Sequence, residues 1–406
     1  MTSEKNIAFS PPDITEEEVA AVADALRSGW ITTGPRVKEL ERRIATYLGV
    51  RKCTCLNSQT ACAETALRIA GIGPGDEVIV PAYTYTATAS VVCHVGATPV
   101  IVDCDPNSYE MEYRALASAV NEKTKAIIPV DLGGVPCNYD ALFDIVESFQ
   151  SLFRPSSEYQ SQLGRIAICA DSAHAFGARR VGSMLGAVAD FTSFSFHAVK
   201  NFTTAEGGCL TWKAPKGVSD DEIYNQTQLL SLHGQSKDAL AKTKAGAWEY
   251  DVLGPWYKCN MTDIQAAIGL VQLQRYPKLL ERRRQIVGHY DMALRDLGIE
   301  VLPHLSGDYV SSCHLYMCRV PGLGLKQRAR LIELMAEEGI SANVHYKPLP
   351  MLTAYRNLGF DIENYPNAYE RFVNEVTLPL HTCLTDEQVG RVLAGFEKSL
   401  REVQCV

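Results

Sequence analysis

Residues 166–177 read IAICADSAHAFG and residues 190–208 read DFTSFSFHAVKNFTTAEGG. The first begins as a short, wholly apolar run, the mark of a strand buried on both faces, and delivers Asp171 at its end. The second places one lysine, Lys200, among apolar, aromatic and hydroxyl side chains and closes on Gly207-Gly208. Outward from this pair the same pattern repeats. Glu77–Pro81, Pro99–Val102, Ala126–Pro129 and Arg165–Ala170 read as short strands, separated by helical segments such as Ala61–Ala70 and Thr86–His94. That alternation predicts an α/β fold around a largely parallel sheet covered on both faces. Functional residues in such sheets collect at the carboxyl ends of strands. Asp103, Asp131 and Asp171 all fall there, although most acids in that position are caps or turn formers.

The flanks read differently. Thr15 can cap a helix that opens with Glu16, Glu17 and Glu18, and the loop Ile31–Pro35 leads to a second helix over Val37–Leu48. The polar stretch Glu147–Gly164 is an excursion without an evident role. A helical pattern from Asp263 to Leu297 is interrupted by Pro277. Strand, helix and strand follow near Tyr316–Val320, Gln327–Glu338 and Asn343–His345, then a helix over Asp386–Val403. The expected division is an arm and loop over 1–35, a large domain over 36–262 and a smaller α+β domain over 263–406.

Composition narrows the function. The 406 residues are 46% hydrophobic and 21% charged, which is ordinary for a folded soluble protein. A net charge of −8 argues against general nucleic-acid binding. No uninterrupted apolar run is long enough for a membrane span, and the N-terminal residues MTSEKNIAFS lack the basic and apolar regions of a signal peptide. The 13 cysteines are scattered, and apolar settings such as those of Cys93 and Cys169 predict buried, reduced thiols in a cytoplasmic protein. Cys53 and Cys55 form C-x-C without a second Cys/His pair at zinc spacing, so no metal is expected.

Four segments carry chemistry. Desolvation lowers a lysine's pKa and makes Lys200 a usable amine nucleophile, although a lysine snorkelling from a strand end reads equally well locally. Asp171 could hold a pyridinium nitrogen protonated, with His174 three residues on; a helix cap followed by a core histidine is the plainer alternative. Ser58, Gln59 and Thr60 precede a helix, where free amides form a phosphate site. Tyr83 and Tyr85 follow a strand, and either could stack on a planar ring or pack in the core.

In order and spacing these segments resemble the DegT/DnrJ/EryC1/StrS sugar aminotransferases, which depend on pyridoxal 5′-phosphate (PLP). The resemblance spans about Ile7 to Val403. It rests on SGWITTGP (Ser28–Pro35), GIGPGDEVIVPAYTYTATA (Gly71–Ala89), GATPVIVDCDP (Gly96–Pro106), TKAIIPV (Thr124–Val130), ADSAHAFGA (Ala170–Ala178), SFSFHAVKNFTTAEGG (Ser193–Gly208) and YKCNMTDIQAAIGLVQL (Tyr257–Leu273). It implies fold type I, the aspartate-aminotransferase fold, and a homodimer with shared sites. By that resemblance Lys200 is the Schiff-base lysine and Asp171 the partner of the ring nitrogen. His174 contacts the ring hydroxyl, and Tyr85 stacks on the ring. Ser58, Gln59, Thr60 and Ser195 hold the phosphate, which Asn260 reaches from the neighbouring subunit. Gln59 stands where a small residue is usual, so only its backbone N–H carries over. Cys169, Cys209 and Cys259 flank Asp171, Lys200 and Asn260 and are read as packing around the site.

The expected substrates are an amino-acid donor, glutamate, and a nucleotide-linked keto sugar. SGWITTGP, LSLHGQSKDA (Leu230–Ala239) and NVHYKPLPMLTAY (Asn343–Tyr355) resemble the branch that aminates C4 of 4-keto-6-deoxy sugars for surface polysaccharide. Trp30, Thr32, Thr33, His314 and Lys347 are the expected sugar-nucleotide contacts, with a core histidine as the alternative for His314. Amination at C3, amination of a cyclitol ketone, and a PLP-binding regulatory role are the competing readings.

Overall fold

In the computed structural model, residues 6–236 and 249–405 are described. Residues 237–239 of the LSLHGQSKDA motif and residues 1–5 therefore lie outside the described part. A seven-stranded sheet runs in the order Cys53–Leu56, Gly208–Trp212, Phe191–Ser195, Ala167–Asp171, Thr124–Ile127, Glu77–Pro81, Thr98–Val102. Gly208–Trp212 is antiparallel to both its neighbours. The remaining pairs are parallel. The carboxyl ends of six strands and the amino end of the seventh thus share one edge. The fold is the expected α/β, fold type I arrangement.

Successive residues of a strand face opposite sides, and the core divides accordingly. Val78, Val80, Ala167 and Cys169 pack into one apolar layer, Ile79, Ile168 and Ala170 into the other. Burial on both faces explains why these strands read as continuous apolar runs. The second layer holds an aromatic cluster around Phe176, whose ring lies 4.9–5.4 Å from those of Tyr47, Phe194, Phe196, Phe202 and Tyr276. Tyr276 Oη donates to the Phe176 carbonyl at 2.5 Å. This cluster underlies the turn that carries His174.

A third core joins Ile286, Tyr290 and Leu294 to the strands Tyr316–Arg319 and Glu375–Leu378 and the helix Asp386–Gln404. The helix Asp263–Asp296 runs unbroken through Pro277, correcting the expected interruption. Proline removes one intrahelical hydrogen bond, but the helix is anchored on both sides. Ala266, Tyr276, Leu279 and Leu280 pack with the sheet, and Ile286 to Leu294 with the third core.

Three further expectations shift. Thr124–Ile127 ends before Pro129, which lacks the N–H a ladder needs. The excursion contains a helix, Glu158–Leu163, whose buried Gln160 donates through Nε2 to the carbonyls of Ala70 and Gly71 at 3.1 and 3.2 Å. It thus braces the C-terminal end of the helix Gln59–Ile69. All the cysteines are free, but Cys93 is exposed, contrary to its apolar sequence setting, because the helix Ala87–His94 buries Ala89, Val91 and Val92 instead. Among the described residues no helix is long and apolar enough to cross a membrane.

Replacing Phe176 by alanine removes the centre of the aromatic cluster and should cost about 3–5 kcal/mol. Denaturant unfolding of the Phe176→Ala protein checks this.

Candidate active site

At the shared sheet edge lies a cavity of about 340 Å³. It gathers Ser58, Gln59, Thr60, Tyr85, Asp171, His174, Ser195 and Lys200, which is every expected cofactor contact except Asn260. Asp171 ends its strand 5% exposed. Its Oδ2 accepts from Thr88 Oγ1 at 2.7 Å and its Oδ1 from the Ala173 N–H at 3.2 Å. Burial pushes this carboxyl above its ordinary pKa. Lys200 sits on the turn after Phe191–Ser195, where its N–H donates to the His197 carbonyl at 2.9 Å. Burial lowers the ammonium pKa to about 8, against an opposing pull from Asp171.

The helix Gln59–Ile69 points its N-terminus into the same cavity. Ser58 caps it, accepting from the Ala61 N–H at 3.1 Å. The N–H groups of the first turn have no intrahelical partner and face the site with the positive end of the helix dipole. Gly208 permits this approach: a Cβ there would stand 2.5 Å from the Gln59 nitrogen and the Ser58 carbonyl carbon. The Gln59 side chain turns away from the solvent and donates through Nε2 to Ser193 Oγ at 2.9 Å. It braces the floor of the cavity, a role its unusual size in this position left unread.

His174 is buried. Its Nδ1 accepts from the Gly133 N–H at 3.1 Å, and its ring lies 4.5 Å from that of His314. Gly134 has no room for a side chain, since a Cβ would meet Ser312 Oγ at 2.1 Å. Tyr85 is 58% exposed at the cavity wall, whereas Tyr83 is fully buried against Tyr109. This separates the two tyrosines that the sequence left paired. Of the other strand-end acids, Asp103 accepts from the N–H groups of Asn367 and Ala368, both at 2.9 Å, at the start of the helix Pro366–Val373. Asp131 is held by Ser172, Tyr139 and the Cys137 N–H.

The remaining expected residues do not line this cavity. Asn260 donates to Thr33 Oγ1, Thr33 Oγ1 donates to the Met261 carbonyl at 2.6 Å, and Trp30 Nε1 donates to the Thr33 carbonyl at 3.1 Å. With Thr32, whose carbonyl accepts from the Asp263 N–H at 3.0 Å, they form a second cluster. His314 is buried behind His174, with Nδ1 2.9 Å from Asn201 Oδ1. Lys347 is exposed outside the cavity. Cys169 and Cys209 are buried in the core and Cys259 is half-buried; none lines the cavity. Thr88 and Tyr346 were missed as individual residues, although both lie inside motifs quoted above.

An amine of lowered pKa, a buried carboxylate facing the same cavity, and a helix N-terminus open to an anion fit the carbonyl, ring nitrogen and phosphate of PLP. Fold and site together define a PLP-dependent aminotransferase of fold type I. The profile of the DegT/DnrJ/EryC1/StrS aminotransferase family matches residues 12–397, and the chain belongs to that family of sugar aminotransferases. Among solved structures it is similar to the sugar aminotransferase Spr1654 from Streptococcus pneumoniae. The PMP form is 57% identical with a TM-score of 0.96, covering 98% of this chain and 100% of that one. The PLP form gives 56% and 0.95, covering 98% and 99%. PseC of Helicobacter pylori, an aminotransferase involved in the biosynthesis of pseudoaminic acid, is 28% identical with a TM-score of 0.85, covering 98% and 100%. The spore coat polysaccharide biosynthesis protein SpsC of Bacillus subtilis is 35% identical over 391 residues, 95% of each chain.

Gly208→Ala should weaken PLP binding at least about tenfold, a loss near 1.4 kcal/mol, by displacing the Ser58–Gln59 backbone. Equilibrium dialysis of the folded variant against PLP measures it.

Proposed function

We propose that this enzyme moves an amino group from an amino acid, glutamate, to the C4 keto group of a nucleotide-linked 4-keto-6-deoxy sugar for a surface polysaccharide or glycoconjugate. The observation that carries the chemistry is the convergence of Lys200 and Asp171 in one cavity at the sheet edge. PLP, when bound, supplies an electron sink for the pair released as a Cα proton leaves the donor amino acid. Lys200 would hold the cofactor through its amine and, once released, would take the Cα proton on its Nζ as base and give it back from the same Nζ to the cofactor's carbon as acid. Asp171 keeps negative charge against the ring nitrogen in a water-poor setting, where it counts most. The N–H groups of the Gln59–Ile69 helix, with Ser58, Thr60 and Ser195, hold the phosphate. Tyr85 offers its ring as the stacking face.

Sugar specificity rests on the SGWITTGP loop, and its polysaccharide setting on the likeness to SpsC. In one chain this loop is tied to Asn260 and away from the Lys200 cavity. In the segment that leads to Asn260, Val252, Leu253 and Tyr257 are each exposed. A homodimer that buries this segment and carries Trp30, Thr32, Thr33, Lys347 and Asn260 toward its partner's cavity explains both facts. His314 then acts as a support beneath His174 rather than as a sugar contact. We place the enzyme in the cytoplasm, where nucleotide sugars are made.

A panel of nucleotide 4-keto sugars, 3-keto sugars and cyclitol ketones, offered with glutamate and read by mass of the amino product, tests the assignment. Amination confined to a 3-keto sugar or a cyclitol ketone would replace it. Lys200→Ala should lower turnover of the best substrate by at least about 10³-fold. The neutral amine is the form that captures PLP, so the capture rate of cofactor-free enzyme should rise with pH to a plateau with a midpoint near 8. A rate still climbing in the ordinary lysine range would contradict the lowered pKa. Stopped-flow absorbance across pH follows it.

A further inference from the structure

His174 has one proton to give, and the hydrogen bonds show where it goes. The Gly133 N–H donates to Nδ1 at 3.1 Å, so Nδ1 carries no proton. A neutral imidazole then holds its proton on Nε2. Burial, together with Lys200 and His345 nearby, keeps the ring neutral by pushing its pKa well below the ordinary histidine value. Nε2 stands 3.1 Å from Tyr346 Oη. The bond therefore runs from His174 to Tyr346, and Tyr346 retains its own hydroxyl proton for another acceptor. Among the described residues no protein group takes it.

Tyr346 lines the cavity with Lys200 and Asp171, its ring 5.7 Å from that of Tyr85. Its position is set from the opposite side. The His345 N–H donates to Glu375 Oε2 at 2.9 Å, and His345 Nδ1 lies 3.0 Å from Thr377 Oγ1, which in turn donates to Glu375. Glu375 is fully buried on the strand Glu375–Leu378. The His345 ring is stacked on Phe9 at 5.4 Å. The charged and titratable groups acting on the Tyr346 hydroxyl are His174, Asp171, Tyr85 and Glu375.

We propose that Tyr346, not His174, donates the hydrogen bond to the ring oxygen of the bound cofactor, and that His174 is the positioning residue that turns Tyr346 toward it. The proposal rests on the reading that this cavity holds PLP. It departs from the role that family resemblance gives His174, because the one Nε2 proton is already engaged. A phenol donating to an oxygen stabilises its anionic form. Loss of that donor raises the pH at which the cofactor chromophore takes up a proton.

The test uses cofactor-loaded wild type, Tyr346→Phe, His174→Leu and His174→Gln, each checked for folding by thermal unfolding. The visible absorbance of the bound cofactor is titrated with pH in the absence of substrates, and PLP affinity is measured by dialysis. Tyr346→Phe should raise the midpoint by about one pH unit and weaken affinity several-fold. His174→Leu should raise it similarly by releasing Tyr346. His174→Gln, whose amide can accept from Gly133 and donate to Tyr346, should restore the midpoint. A midpoint that His174→Leu moves and Tyr346→Phe leaves unchanged overturns the proposal and returns the contact to His174. Wild-type protein that takes up no PLP removes the functional reading, and this proposal with it.

Discussion

A carboxylate placed inside a protein is expensive unless hydrogen bonds, a cation or a ligand offset its lost hydration. Asp171 is such a group, with Lys200 as the cation across the cavity. The Thr88 hydroxyl and the Ala173 N–H meet part of its demand, and the charge of Lys200 favours the ionised form; a positive ring nitrogen would add to both. Much of the architecture follows from keeping that charge dry and fixed. The strand that carries it is buried on both faces, the sheet edge gathers its neighbours, and the aromatic cluster under Phe176 holds the following turn. Lys200 sits opposite, its amine made more reactive by the same desolvation that raises the Asp171 pKa.

Much of this was legible in the sequence because it depends on local patterns. Apolar runs of strand length gave the sheet, and Asp171, Lys200 and Ser58–Thr60 fell at its working edge because that is where strands hand over to loops. Tyr83 and Tyr85 could not be told apart from alternation alone, since the chain has left its strand by that point. Pro277 misled because local propensity yielded to packing on both flanks of the helix. Cys93 misled because apolar neighbours in sequence need not be neighbours in space. The histidines were the hardest. The role of His174 depends on a backbone N–H from Gly133 and a hydroxyl from Tyr346, residues distant in sequence.

The site is also a junction. His174 comes from the turn after a strand of the large sheet, and Tyr346 from a segment held by Glu375 of the smaller one. The hydrogen bond between them couples the two bodies at the cavity wall. The helix Asp263–Asp296 couples them a second time, since its two halves belong to different cores. With both ties in place, the wall that carries His174 and Tyr346 is fixed from both sides.

Ile7 belongs to the same core as Val403, and its backbone pairs with Gly339 and Ser341 at 2.7 and 3.0 Å. A chain made from the N-terminus emits Ile7 more than 300 residues before Gly339 and Ser341. At about 5–20 residues per second, that segment waits roughly 15–70 s for them. The third core therefore closes only after Val403 has been made. Through that interval Ile7 is without its native partners, so its pairing with Gly339 and Ser341 is a late event in folding rather than a nucleus for it.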